Sequence, residues 1–159
     1  MIVIADNSVI SGLADAGLLD LIPLLFDSVA IPKAVFAEGT DVAAPARLRA
    51  FLAERPAWLV VLPDPVILLP EAANLGPGEA AAISLAWELR ETGSTLILDD
   101  HMARKLASAL GLRVTGSLGL LVDAHLQGFL DFDDALAKLT ATGFWLSPGI
   151  VAEAKRKLS

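Results

Sequence analysis

The stretch "STLILDDHMARKLA", residues 94–107, decides the fold. Residues 95–98 form a short apolar run suited to a strand covered on both faces, and it runs straight into two adjacent aspartates. A helical pattern opens at His101 and closes at Gly111. A strand handed directly to a helix is half of a βα unit, and such units build parallel sheets. In open parallel sheets, ligands sit outside the carboxyl ends of the strands, at the topological switch point. Asp99 and Asp100 therefore fall where such a fold places its chemistry.

The rest of the chain repeats the pattern. Short, nearly continuous apolar runs predict strands at 2–5, 28–31, 58–62, 95–98 and 112–114. Helical patterns separate them. Residues 8–15 and 18–26 form a pair broken near Gly17, and 32–38 is short, with Pro32 in its first turn. Residues 44–54 are amphipathic, 77–91 start after Gly76 and end at Gly93, and 101–110 follow the acid pair. Residues 117–127 end at Gly128, and 133–140 and 148–158 close the chain. The segment "DPVILLPEAANL" reads as a loop or short turns because of Pro65 and Pro70. The expected architecture is one α/β domain, a mostly parallel five-stranded sheet with helices on both faces, followed by a C-terminal helical addition over 129–159 packed on the same domain.

Composition narrows the classes. Hydrophobic residues make up 55% of the 159, and with the 12 glycines the share reaches roughly 63%, against about 45–50% for average domains. That excess suggests a homodimer interface or a groove for a partner. The longest apolar stretch, "WLVVLPDPVILLP", is broken by Asp64 and three prolines, so no membrane span is expected. "MIVIADNSVI" has no basic residue before its apolar run and reads as a first strand, not a signal peptide. Cysteine is absent, which excludes disulfides and thiolate metal sites and suits a cytoplasmic protein. A net charge of −7 argues against nonspecific nucleic-acid coating but leaves room for a local basic patch.

Parallel strands put several acids at one edge. Asp6 ends the first strand, and Glu38 follows the second by about two helical turns, roughly ten ångströms at about 1.5 Å per residue. Glu79 sits in the first turn of the helix that begins "GPGEAAAI". Each acid has an ordinary role open to it: Asp6 as a helix cap, Glu38 as a surface carboxylate, Glu79 beside a helix dipole, and one of Asp99 and Asp100 as the cap of the next helix. Together they repel and raise one another's pKa, a conflict that a divalent cation resolves. Oxygen-only ligation suits Mg²⁺ or Mn²⁺, and such a site serves phosphodiester or phosphomonoester chemistry.

Four blocks in this order and spacing resemble the PIN-domain ribonucleases: "IADNSVISGLADAGLLDLI", "VAIPKAVFAE", "LGPGEAAAISLA" and "LILDDHMARKLASALGLRVTGSLGLL". The nearest branch is that of short prokaryotic proteins related to toxin components of toxin–antitoxin pairs. The resemblance covers residues 1–128 and implies a three-layer α/β/α catalytic domain that cleaves RNA with Mg²⁺ or Mn²⁺. It implies Asp6, Glu79 and Asp100 as metal ligands, Glu38 as an outer ligand or water-orienting group, and Asp99 as neighbour or cap. It also implies Ser8 as the small hydroxyl beside Asp6, Arg104 as a phosphate contact in a "DDxxAR" pattern, an antitoxin protein as partner, and a homodimer.

Further candidates rank lower. Lys33, Arg47 and Arg49 are weaker substrate contacts, and Thr115 and Ser117 suit either a phosphate or a helix cap. His101 and His125 lack ligand spacing, "GPGE" lacks the lysine and length of a P-loop, and "GSLG" is no nucleophile elbow. The terminal "AKRKL" reads as a solvated helix end that favours the dipole. Two other classes compete. A receiver-like phosphoacceptor domain would need a lysine at the fifth strand end, where "RVTGS" has none. A non-catalytic interaction module would have no use for clustered carboxylates, which only destabilise when nothing offsets them.

Overall fold

The computed structural model describes all 159 residues. Its strands are β1 (Ile2–Ala5), β2 (Val29–Pro32), β3 (Leu59–Leu62), β4 (Ser94–Ile97) and β5 (Arg113–Thr115). Its helices are α1 (Asn7–Asp15), α2 (Leu21–Leu25), α3 (Lys33–Thr40), α4 (Ala46–Glu54), α5 (Pro77–Glu88), α6 (His101–Ala109), α7 (Ser117–Leu126), α8 (Phe132–Ala141) and α9 (Pro148–Arg156). All five expected strands are present, each within a residue or so of its expected bounds. The short 3-10 helices Pro70–Ala72 and Arg90–Thr92 take up the proline-rich segment and the end of the long fifth helical pattern. The second helix is shorter than its pattern, because residues 18–20 form a turn before Leu21.

The sheet is parallel throughout, in the order β3-β2-β1-β4-β5. Ile4 pairs with Ala30 on one side of β1 and with Leu96 on the other. Strand order therefore reverses at β1, and the switch point lies between the carboxyl ends of β1 and β4. The central strands carry apolar residues on both faces because helices cover both: every residue of β2 is buried, and so are Val3, Ile4 and Ala5 of β1.

The two covered faces are unequal. One cluster of 24 buried residues joins β1 and β2 to α1, α2, α4, α7 and α8, with Phe132, Ile10, Leu13 and Leu52 among its largest members. The other has nine, from Ile4, Leu96 and Leu98 to Ile83 of α5 and Ala103 and Ala107 of α6. Helix α5 enters its layer through small side chains, with Ala80, Ala81, Ala82 and Ala86 all buried. The C-terminal helices join the larger cluster through Ala135, Leu139 and Ala154. The architecture is a three-layer α/β/α sandwich. Some apolar surface stays outside: Val66, Ile67, Leu68 and Trp145 are strongly exposed.

Candidate active site

Asp6 directly follows β1 and is the N-cap of α1, its carboxylate accepting from the Val9 backbone N–H at 3.3 Å. The Ser8 hydroxyl donates to both of its oxygens, at 2.9 and 3.0 Å. The capping role expected of Asp6 is thus real, yet it does not exhaust the residue. Asp6 is only 3% exposed, and burial pushes its carboxyl up from 3.8 to about 6, with the Asp99 charge adding to the rise and the Ser8 and Val9 hydrogen bonds opposing it. Ser8 itself is exposed beside the acid it supports.

Glu79 stands in the first turn of α5, after Pro77 and Gly78, where a helix dipole lowers a carboxyl pKa. Instead its carboxyl is pushed up from 4.5 to about 7, by burial first and then by the charges of Asp100, Asp6 and Glu38. Glu38, on the last turn of α3, lies against that same helix start. A Cβ placed on Gly78 would stand 3.0 Å from its Oε2 and 3.5 Å from Cγ2 of Val35. A side chain at position 78 would therefore press on the Glu38 carboxylate and make it shift, just where two carboxylates meet.

The acid pair divides its duties in the opposite sense to the one expected for the cap. Asp100, not Asp99, is the N-cap of α6 and accepts from the Ala103 N–H at 2.9 Å. Asp99 accepts from the backbone N–H of Ser117 at 2.7 Å and from its hydroxyl at 2.5 Å. The strand ends at Ile97, so the alternation that sends adjacent side chains to opposite faces no longer applies at 99 and 100. Both acids reach the cluster: Asp99 raises Asp6, and Asp100 raises Glu79.

All five predicted acids thus gather at the carboxyl edge of the sheet, around the switch point. Asp6 and Glu79 are the members whose ionisation the others resist. As the side chains stand, no three Asp, Glu or His groups sit at the spacing of one metal ion. The donor set nevertheless fits a hard cation. It is all carboxylate, and two members are harder to ionise than free carboxyls, through burial first and then through the neighbouring acids.

The predicted substrate contacts are placed unevenly. Arg104 borders the cluster, its Nη1 3.3 Å from where a Gly116 Cβ would be, and it makes no ion pair within 4 Å. Ser117, expected to face substrate or to cap its helix, does neither. Gly116 is the N-cap of α7, and Ser117 is fully buried with its hydroxyl committed to Asp99. Arg47 is drawn away to Asp15 at 3.5 Å, the Arg49 Nε is buried without a partner, and Lys33 is exposed at the start of α3. His125 has a structural task, accepting from the Phe132 N–H at 3.0 Å, whereas His101 is exposed.

Three supporting residues escaped the sequence reading. Asn7, 8% exposed, ties α1 to α3 by donating to the Val35 carbonyl at 2.7 Å, while its Oδ1 is buried without a partner. Gly116 admits Asp99 at a distance a Cβ would not tolerate, and Gly78 admits Glu38 at one where a Cβ would make the carboxylate give way slightly. The "DNS" and "GPGE" blocks contain two of the three, but only packing shows why glycine or asparagine is needed there.

No curated protein and no solved structure matches the chain. A family model described as PIN domain (DUF3368) matches residues 2–159, beyond the 1–128 of the sequence resemblance and through α9. With a nuclease-type fold and acids on the edge that such folds use, this chain belongs to the PIN-domain family.

Proposed function

We propose that this chain is an endoribonuclease that hydrolyses RNA phosphodiester bonds with Mg²⁺ or Mn²⁺. The observation that carries the reading is the pair of carboxyls with raised pKa values, buried Asp6 and half-buried Glu79, at the switch point of the sheet with three further acids around them. Asp6, Glu79 and Asp100 would hold the cation, and Glu38 would orient water at the rim. When bound, the cation supplies charge neutralisation and Lewis-acid polarisation of a phosphate oxygen and a water. Asp6 is fixed for this by Ser8 and Val9, and Asp99 by Ser117, so neither needs to reorganise as substrate arrives. Arg104 lies where it can meet a phosphate next to the one being cut.

The finer parts of the reading are its role as the toxin of a toxin–antitoxin pair, an antitoxin protein as partner, and a homodimer. Resemblance supports the first two, and the exposed Val66, Ile67, Leu68 and Trp145 leave apolar surface for an interface. The test is cleavage of labelled single-stranded RNA and of the matching DNA, with Mg²⁺, Mn²⁺ or excess chelator, by wild type, Asp6→Asn and Glu79→Gln. RNA cleavage confined to wild type with metal is expected. Equal cleavage in chelator, or by both variants, removes the assignment; cut DNA with intact RNA changes the substrate.

A further inference from the structure

A groove of about 430 Å³ opens beside the acid cluster, between α6 and α9. Its two walls are helical faces of matched spacing. Helix α6 presents His101, Arg104 and Lys105, and α9 with the residue just past its end presents Ile150, Glu153 and Lys157. These are i, i+3, i+4 and i+7 positions, so each set forms one stripe along its helix. The floor is the start of α7, where Leu118, Gly119 and Val122 line it.

The charge of the groove is opposite to that of the molecule. The chain as a whole is at −7, but Arg104, Lys105 and Lys157 face Glu153 alone among charged wall residues. None of the three cations has a carboxylate within 4 Å; the ion pairs of the structure are Arg47–Asp15, Arg90–Glu91 and Lys155–Asp133. Cations held in a concave, unpaired stripe on an acidic protein raise the local concentration of anions. The groove also borders the acid cluster at Gly116. Gly116 lines it, and a Cβ on Gly116 would meet both Asp99 Oδ1 at 2.7 Å and Arg104 Nη1 at 3.3 Å. A chain of phosphates with one at the acids has its next positions along this groove.

We propose that the groove between α6 and α9 is the track for single-stranded RNA flanking the cleaved phosphate, with Lys105 and Lys157 as its outer phosphate contacts and Glu153 as a residue that weakens the grip. The C-terminal helix is then part of the substrate site, not only a solvated end. The inference rests on the ribonuclease reading for the identity of the polyanion. An extended single strand fits a slot walled by two helices, with phosphates at the cationic rim and sugar or base faces on the apolar floor. A duplex would have to stay outside.

The test is fluorescence anisotropy of the full chain with a labelled ten-nucleotide oligouridine, in excess chelator so that nothing is cut, over a series of salt concentrations. Lys157→Gln is expected to weaken binding by about three- to tenfold and to lower the log–log salt slope by about 0.7. Glu153→Gln is expected to tighten binding, a sign that general damage to α9 does not produce. Lys155→Gln is the control, since that lysine faces Asp133 at 3.8 Å on another side of the helix. Unchanged affinity and slope in both groove variants, an equal loss in Lys155→Gln, or tighter binding of duplex RNA or polyglutamate than of the single strand overturns the proposal. Failure of the ribonuclease reading shows separately: wild type would then cut no RNA with metal, or would cut it equally in chelator or as Asp6→Asn does, whatever the groove variants do to binding.

Discussion

Replacing Asp6 by asparagine should stabilise the metal-free protein, and by an amount that depends on pH. Asp6 is 3% exposed with its carboxyl raised from 3.8 to about 6. Its folded-state value lies above the unfolded one, so the folded protein binds the extra proton between about pH 4 and pH 6. Stability from this group is therefore full below about pH 4 and is lost as pH rises through 6. At roughly 1.4 kcal/mol per tenfold change in acidity, the ceiling on the cost of ionising Asp6 above pH 7 is about 3 kcal/mol. Asparagine removes that cost and still caps α1, since its side-chain oxygen can accept from the Val9 N–H. It also relieves Glu79, which feels the Asp6 charge. A gain of about 1–3 kcal/mol is expected at pH 7.5, falling below about 1 kcal/mol near pH 4. At about 2–4 °C per kcal/mol for a domain of this size, a gain of about 2 kcal/mol raises Tm by roughly 4–8 °C. Melting curves of wild type and variant in chelator at pH 4.5, 6 and 7.5 read this directly. A variant no more stable than wild type at pH 7.5, or a gap that is the same at every pH, would refute the account of Asp6 as a strained acid.

Three other outcomes are expected. The Mn²⁺-induced rise in wild-type Tm should be larger at pH 8 than at pH 6, because Asp6 and Glu79 must shed protons held up to about 6 and about 7 before they ligate; a pH-independent rise would place the ion elsewhere. Asp100→Asn should keep stability within about 0.5 kcal/mol while Asp100→Ala loses about 0.5–2 kcal/mol with the α6 cap, and both should lose RNA cleavage; cleavage retained by the asparagine variant reduces Asp100 to a cap. Gly116→Ala should cost about 1–3 kcal/mol and much of the activity by displacing Asp99 and crowding the Leu98 carbonyl, whereas Gly149→Ala, with open space around it, should be neutral or slightly stabilising.

The layered fold was legible because its signals are local. Each strand is a short apolar run bounded by turn residues, and each acid of the site follows a strand or opens a helix. Asp6, Glu38, Glu79, Asp99 and Asp100 could thus be brought to one edge by topology alone. What the sequence withheld was the partner of each group. Whether Asp99 or Asp100 caps α6 depends on the chain leaving the pleat after Ile97, one residue earlier than the apolar run suggests. Ser117 looked like a helix cap because serine often is one, but Gly116 takes that position and frees the hydroxyl for Asp99, 18 residues away. Lys157 is exposed, as a solvated helix end should be, but nothing in "AKRKL" reveals that α9 and α6 line one groove.

The unequal filling of the two sheet faces has a kinetic consequence. Glu79, Asp100 and Arg104 all ride on α5 and α6, the layer held by nine buried residues, many of them alanines, while Asp6 begins α1 in the layer held by 24. Less apolar contact means a smaller free energy of local opening, so the amides of α5 and α6 should exchange with solvent before those of α1 and α7. The mutual repulsion of the acids loads this same weaker side. Any charge that ties Glu79 to Asp6 would then join two halves that breathe separately into one cooperative unit, and the slowing of exchange would be felt most by the amides farthest from the largest core.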